Sequence, residues 1–155
     1  MGPAGAGKTT VGRLLAQHLG VPFEDADSFH AASAVEKMRR GEGLTDEDRQ
    51  PWLAALARRL ESASDGLVLA CSALKASYRA RLGAGAPHSV GLAYLAVPEE
   101  ILRERLAVRS GHFAGPALLE SQLASLELPT IAETYDGTSR PEDVAREIAR
   151  RLAGC

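Results

Sequence analysis

A glycine-rich segment near the start of the chain has the composition of a phosphate-binding loop. Residues 2–9 read Gly-Pro-Ala-Gly-Ala-Gly-Lys-Thr and match the pattern G-x-x-x-x-G-K-[ST]. Glycines allow backbone N–H groups to wrap a triphosphate without side-chain clashes, and the N-terminus of the following helix favours the same anion. Lys8 would reach the β- and γ-phosphates, and the Thr9 hydroxyl would bind Mg²⁺. We therefore favour nucleotide binding over a glycine-rich turn without a ligand.

A second group of polar residues follows the next short apolar stretch. Glu24, Asp25 and Asp27 cluster where a strand is expected to end, and ligands of parallel sheets gather at that edge. A carboxylate there could orient and deprotonate an acceptor hydroxyl, or hold Mg²⁺ through water. The alternative is a solvated turn in which Asp27 caps the next helix. Residues 69–72 read Leu-Ala-Cys-Ser, so the usual metal-side aspartate is absent there, which strengthens the case for Asp27 or Asp25.

The elements that must position these residues alternate between short apolar strands and amphipathic helices. This alternation predicts an α/β fold with a parallel sheet covered on both faces. We expect strands at 21–24, 67–70 and 89–97. Capping-box spacing at Thr45 and Asp48, and again at Ser139 and Glu142, predicts the starts of two helices. Leu53, Leu56 and Leu60 would bury the first of these helices, and Val144, Ile148 and Leu152 the last.

The position of the phosphate loop at the start of the chain bears on the sheet. Such a loop normally follows a buried central strand, and here the chain begins at the loop itself. We therefore expect the first strand to be missing, the middle of the sheet to be interrupted, and the loop to be less well anchored.

Composition sets broad limits on function. The chain has 155 residues, a formal net charge of −2 and two cysteines, of which Cys71 ends an apolar run and Cys155 is the last residue. These values predict a single cytoplasmic domain spanning 1–155 with a buried Cys71 thiol and an exposed Cys155. They give no electrostatic reason to expect nucleic acid or a membrane as partner, and no apolar run is long enough to span a bilayer.

Several blocks of the sequence resemble the bacterial gluconokinase family. They occur in the family's order over residues 1 to about 130 and are more specific than a phosphate loop. The blocks are 25–30 (Asp-Ala-Asp-Ser-Phe-His), 36–38, 43–53, 71–75 (Cys-Ser-Ala-Leu-Lys) with Tyr78-Arg79, the lid motif 109–113 (Arg-Ser-Gly-His-Phe), and 118–128.

This resemblance implies a fold and an activity. The fold would be the three-layer α/β/α P-loop NTPase fold of the nucleoside-monophosphate-kinase-like group, with a lid at about 109–116. The activity would be ATP-dependent phosphorylation of D-gluconate to 6-phospho-D-gluconate, with ATP and Mg²⁺ as cofactors, in a homodimer. Alternatives left open are a kinase of the same fold for shikimate or another sugar acid, and a truncated, inactive nucleotide-binding remnant.

The resemblance also implies roles for individual residues. Lys8, Asp27 and Arg109 would be catalytic, with Asp27 as base or orienter of the acceptor hydroxyl and as a possible water-mediated metal contact. The residues expected to contact ATP are Gly2, Ala4, Gly5, Ala6, Gly7, Lys8, Thr9 and Thr10. Those expected to contact gluconate are Asp27, His30, Arg49, Lys75, Arg79 and His112.

Simpler explanations exist for the basic residues in this set. A sugar acid needs a cation for its carboxylate, and Arg offers a bidentate fork. Arg49 could instead pair with the acidic run 46–48, and Lys75 and Arg79 could simply be solvated. Arg105 shares a helix face with Arg109, and either could close over the transferred phosphoryl group or remain solvated.

Two further features concern specificity. Ala31 and Ala34 stand where the relatives usually have Pro and Asn, which puts fine acceptor selectivity in doubt. Trp52 is expected in the core, and the turn 137–141 is a candidate adenine site because it would follow the last strand.

Overall fold

The computed structural model describes residues 1–40, 42–83, 90–108, 116–130 and 132–153. The strands are β1 (Phe23–Asp25), β2 (Val68–Ala70), β3 (Ala93–Ala96) and β4 (Glu133–Asp136). The helices are α1 (Lys8–Leu19), α2 (Ala32–Arg39), α3 (Asp46–Glu61), α4 (Ala76–Gly83), α5 (Glu99–Ala107), α6 (Pro116–Ala124) and α7 (Pro141–Ala153), and a 3₁₀ turn spans Ala26–Phe29. None of these described helices is both long and apolar enough to cross a membrane.

The described strands form two parallel pairs, β1 with β2 and β3 with β4. In the first pair Phe23 faces Val68, and in the second Ala93 faces Glu133. Within each pair, the two strands therefore end at the same edge, where polar turns follow. The expected α/β class with parallel strands is confirmed.

The backbone of Met1 and Gly2 lies between the two strand pairs. The Met1 amino group donates to the carbonyl of Ala93, and the Leu95 N–H donates to the Met1 carbonyl at 3.0 Å. The Gly2 N–H donates to the carbonyl of Ser72, just after β2, at 3.2 Å. The start of the phosphate loop is thus hydrogen-bonded to both halves of the sheet.

Two hydrophobic clusters support the two halves. In one, Val11 and Leu15 of α1 pack with Leu102 of α5 and Ile148 of α7. In the other, α3 packs on α4, and the cluster includes Trp52, Leu53, Leu56, Tyr78, Leu82 and Cys71. Burial of Cys71 is confirmed, and desolvation raises the pKa of its thiol to about 11. Cys155 lies outside the described residues.

The predicted helix starts are partly confirmed. Thr45 and Asp48 form a complete capping box at the start of α3. The second capping box is wrong, because α7 begins only at Pro141 and the Ser139 hydroxyl donates instead to Asp136. The predicted burial of Leu152 is also wrong, since its side chain is 47% exposed.

The predicted strand limits need small corrections. The first strand starts at Phe23, because Pro22 has no N–H to give to a ladder, although its carbonyl accepts from Val68. The last strand was predicted at 89–97, and the structure has the shorter β3, Ala93–Ala96. Residue 89 lies outside the described residues.

Gly137 allows the turn after β4 to pass close to β3. A Cβ at this position would lie 2.4 Å from Val97 Cγ2 and 3.2 Å from the Ala96 carbonyl oxygen. We expect Gly137→Ala to lower the free energy of unfolding by about 1–3 kcal/mol, the usual cost of overpacking. Urea denaturation measures this change as a lower midpoint at unchanged slope.

Gly43→Ala is the matched control for this substitution. A Cβ at Gly43 would meet nothing within 4 Å, so its unfolding midpoint should not fall. Equal losses in both variants would contradict the close approach at Gly137.

Candidate active site

The phosphate loop adopts a conformation that glycine makes accessible. Gly5 has φ 83° and Gly7 has φ 89°, and Gly7 is the residue that precedes the first turn of α1. Both angles lie in the left-handed region that L side chains rarely adopt. The first N–H groups of a helix have no acceptor within the helix, so this loop and helix start together offer donors to an anion.

Contacts from other segments hold the loop. The Lys8 ammonium donates to the carbonyl of Pro3 within the loop at 2.8 Å. The Ala4 N–H donates to Gln122 Oε1 of α6 at 2.6 Å. Arg105 of α5 donates to the carbonyls of Gly5 at 3.2 Å and Gly137 at 2.9 Å. The solvated alternative for Arg105 is therefore wrong, because this side chain joins the phosphate loop to the turn after β4.

The acidic turn after β1 lies against the start of α1. The Thr9 hydroxyl donates to Asp25 Oδ2 at 2.8 Å. The other oxygen of Asp25 accepts from the Asp27 N–H at 3.1 Å and caps the 3₁₀ turn. The alternative that Asp27 caps the next helix is wrong, because α2 follows Ala31 without a side-chain cap. Asp27 itself is exposed, two residues beyond the carboxylate that contacts Thr9.

These residues fit a magnesium ion bound mainly through phosphates and water. Among the described residues, no three His, Cys, Asp or Glu side chains cluster as a metal site. Mg²⁺ at nucleotide sites typically keeps several waters and takes one or two protein ligands besides phosphate oxygens. The Thr9 hydroxyl and the Asp25 carboxylate supply that kind of donor set.

A second network joins the start of α3 to the loop before α4. Lys75 Nζ lies 2.7 Å from Asp46 Oδ2, and Arg49 Nη1 lies 3.6 Å from Asp46 Oδ1. The Tyr78 hydroxyl also donates to Asp46, and Arg49 donates to the Tyr78 hydroxyl at 3.5 Å. Hydrogen bonds from Lys75 and Tyr78 lower the pKa of the Asp46 carboxyl. The structure therefore brings Arg49 and Lys75 together around one carboxylate.

Arg79 has a different environment from these two cations. It is 9% exposed, and its Nη1 donates to the carbonyls of Ala73 and Leu74, each at 2.9 Å. Ala73 has φ 44°, an unfavourable angle for a residue with a side chain. The solvated alternative for Arg79 is therefore wrong, because the buried guanidinium holds the loop that contains Lys75.

His30 is part of the packing of the acidic turn. Its ring stacks on Trp52 with centroids 4.8 Å apart and planes 6° apart. Trp52 Nε1 donates to the carbonyl of Ala26 at 2.7 Å, which confirms the expected buried position of Trp52. Burial lowers the pKa of His30, and its buried Nδ1 has no hydrogen-bond partner among the described residues.

Arg109 and His112 lie outside the described residues, as does the predicted lid except for residue 116, where α6 begins. The turn 137–141 does follow the last described strand, and Asp136 accepts hydrogen bonds from Thr138 and Ser139 there. Its contact with adenine stays a prediction.

Two contacting residues were missed by the sequence analysis. Gln122 reaches the phosphate loop, and Glu127 Oε2 accepts from the Ala76 N–H at the start of α4 at 2.6 Å. Their only signal in the sequence was the resemblance of segment 118–128 to the gluconokinase family, which identified a segment without a role for any side chain.

Sequence comparisons identify relatives over most of the chain. A family model described as shikimate kinase matches residues 4–153. A gluconokinase of Gluconobacter oxydans is 42% identical over 158 residues, covering 98% of this chain and 88% of that protein. The thermosensitive gluconokinase of Escherichia coli K12 is 41% identical over 140 residues, covering 86% and 72%.

Comparison with solved structures also identifies a gluconokinase as a relative. A gluconokinase from Sinorhizobium meliloti superposes with a TM-score of 0.89 at 39% identity, covering 99% of this chain and 89% of that one. The APS kinase CysC of Mycobacterium tuberculosis superposes with a TM-score of 0.70 at 16% identity, a likeness of fold alone. The expected P-loop kinase fold is confirmed, and the chain belongs to the gluconokinase family, within the kinases that the shikimate kinase model describes.

Proposed function

We propose that this protein transfers the γ-phosphoryl group of ATP to D-gluconate and releases 6-phospho-D-gluconate and ADP. The hydrogen bond from Thr9 to Asp25 is the observation that supports this most directly. It holds the acidic turn, with its exposed Asp27, against the end of the phosphate loop that would bind the metal. An acceptor hydroxyl and a γ-phosphate could then meet between the two.

On the nucleotide side, the phosphate loop would bind ATP through backbone N–H groups other than those of Gly2, Ala4 and Ala6, which already donate within the protein. Lys8 would neutralise charge on the β- and γ-phosphates, and Thr9 would contact Mg²⁺. The metal would offset charge on the phosphate oxygens. Asp27 would take the proton of the attacking hydroxyl as the oxygen–phosphorus bond forms and the bond to ADP breaks. Arg109 would close over the transferred group.

On the acceptor side, Arg49 and Lys75 would bind the gluconate carboxylate. Both cations already converge on the carboxylate of Asp46, which shows that the two side chains can meet at one anion. Arg79 would act by holding the backbone of this loop, through its bonds to Ala73 and Leu74. His30 and His112 complete the proposed acceptor set.

The proposed setting of this reaction is the cytoplasm, without a nucleic-acid or membrane partner. The formal net charge of −2 and the buried thiol of Cys71 support it. A homodimer is proposed on the resemblance to the family alone.

The first test is a phosphorylation assay with ATP and Mg²⁺ that compares gluconate with shikimate and other sugar acids. We expect turnover with gluconate, and a fall in kcat of at least about 100-fold in Lys8→Ala and Asp27→Asn, the scale of lost acid–base or charge stabilisation. Arg146→Ala, which removes an exposed ion pair with Asp143 on α7, should retain wild-type kcat.

Two other results would lead to different conclusions. Preferred turnover of shikimate or another sugar acid would show a kinase of the same fold with a different acceptor. ATP binding without phosphorylation of any acceptor would favour the inactive remnant.

A second test addresses the acceptor cations. We expect Arg49→Ala and Lys75→Ala each to raise KM for gluconate about 10- to 100-fold, because a charged hydrogen bond contributes about 1.5–3 kcal/mol. KM for ATP should stay within about threefold of the wild-type value. Both side chains belong to the proposed acceptor site, so their loss leaves the nucleotide contacts intact.

Arg59→Ala is the matched control for Lys75→Ala. Arg59 pairs with Glu24 at 2.7 Å and is 29% exposed, compared with 31% for Lys75. It should leave KM for gluconate unchanged. An equal rise in all three variants would mean that the effect comes from general loss of ion pairs.

A further inference from the structure

One segment of the chain contacts both proposed substrate loops. We call residues 119–127, from the middle of α6 through the turn after it, the bridge segment. In the α6 part of this segment, Gln122 Oε1 accepts from the Ala4 N–H of the phosphate loop at 2.6 Å. Gln122 is half-buried, so this contact is partly shielded from water.

The other end of the bridge segment contacts the loop that contains Lys75. Glu127 Oε2 accepts from the Ala76 N–H at 2.6 Å, and the Glu127 N–H donates to the Leu74 carbonyl at 3.0 Å. The same carbonyl also accepts from Arg79. The acceptor loop is therefore hydrogen-bonded both to Arg79 and to the bridge segment.

The bridge segment is packed as one unit. Leu119 is fully buried and belongs to the same cluster as Ala6 of the phosphate loop and Leu102 of α5. The N–H groups of Ser125 and Leu126 bond back to the last turn of α6. The contacts at Gln122 and Glu127 therefore belong to one packed turn, so displacement of one end should be transmitted to the other.

We propose that Gln122 and Glu127 are positioning residues that set the distance between the γ-phosphate and the acceptor hydroxyl. This proposal rests on the proposed function, because it takes the loops of Ala4 and Lys75 as the two substrate sites. Reacting atoms must approach to about 3–3.5 Å, and a displacement of about 1 Å can cost about 100-fold in rate. One segment that is hydrogen-bonded to both loops is suited to this task.

Kinetics separates positioning from binding. We expect Gln122→Ala and Glu127→Ala each to lower kcat about 10- to 100-fold, with KM for ATP and for gluconate within about threefold. Residues that act through one unit are not additive, so the double variant should lose about as much as either single variant.

Two variants serve as matched controls. Glu127→Gln keeps an acceptor oxygen for the Ala76 N–H and should restore kcat to within about threefold of wild type. Glu120→Ala removes a carboxylate of α6 that pairs with Arg103 at 3.3 Å, and it should leave kcat unchanged.

Hydrogen exchange tests the same link without any turnover. Addition of a non-hydrolysable ATP analogue to wild-type protein should slow amide exchange in residues 74–76, although ATP would bind at the other loop. This protection should be lost in Gln122→Ala and Glu127→Ala and retained in Glu120→Ala. Because gluconate is not needed, the result is independent of whether gluconate is the acceptor.

Three outcomes would overturn the proposal. If the fold-loss of kcat in the double variant equals the product of the two single losses, the two contacts act independently. A rise in KM for ATP alone in Gln122→Ala would make that residue an ordinary nucleotide contact. If the ATP analogue leaves amide exchange at 74–76 unchanged in wild-type protein, the two loops are not linked. Absence of gluconate turnover with the protection intact would overturn only the proposed function.

Discussion

The phosphate loop can offer its backbone N–H groups to an anion only if other segments hold its shape. Gly5 and Gly7 take left-handed angles, and glycine loses more conformational entropy on ordering than any other residue. Bonds to α5 and α6 offset this cost: Arg105 donates to the Gly5 carbonyl, and Gln122 accepts from the Ala4 N–H. A neutral hydrogen bond contributes only about 0.5–1.5 kcal/mol and one from a charged donor such as Arg105 about 1.5–3 kcal/mol, so the loop needs more than one.

The acceptor side meets a different constraint, the mutual repulsion of cations. Arg49 and Lys75 approach each other only because Asp46 lies between them and the Tyr78 hydroxyl adds a further hydrogen bond. Hydrogen bonds from cationic and hydroxyl donors favour the ionised carboxylate, which explains the lowered pKa of Asp46. A substrate carboxylate would compete with Asp46 for these cations, so the ion pair and the proposed binding role are compatible.

Local patterns in the sequence predicted several parts of the molecule that depend on neighbours in the chain, although capping-box spacing failed at Ser139 and Glu142. The phosphate loop and the capping box at Thr45 depend on spacing over a few residues, and both are present. The side chains that support the loops could not be predicted in this way. Gln122 is 118 residues from Ala4, and Glu127 is 51 residues from Ala76, so nothing in local spacing indicates either contact.

Arg79 has a structural role that residue type alone could not predict. An arginine near a strand end is a natural candidate for a carboxylate ligand, yet its burial and its bonds to two carbonyls give it a structural task. That task is needed because Ala73 holds a left-handed angle, which costs about 1–3 kcal/mol for a residue other than glycine. Such strain persists only where surrounding contacts enforce it. Arg79 bonds Ala73 and Leu74, and Glu127 bonds Leu74 and Ala76, so the shape of the acceptor loop depends on residues that need not touch the substrate.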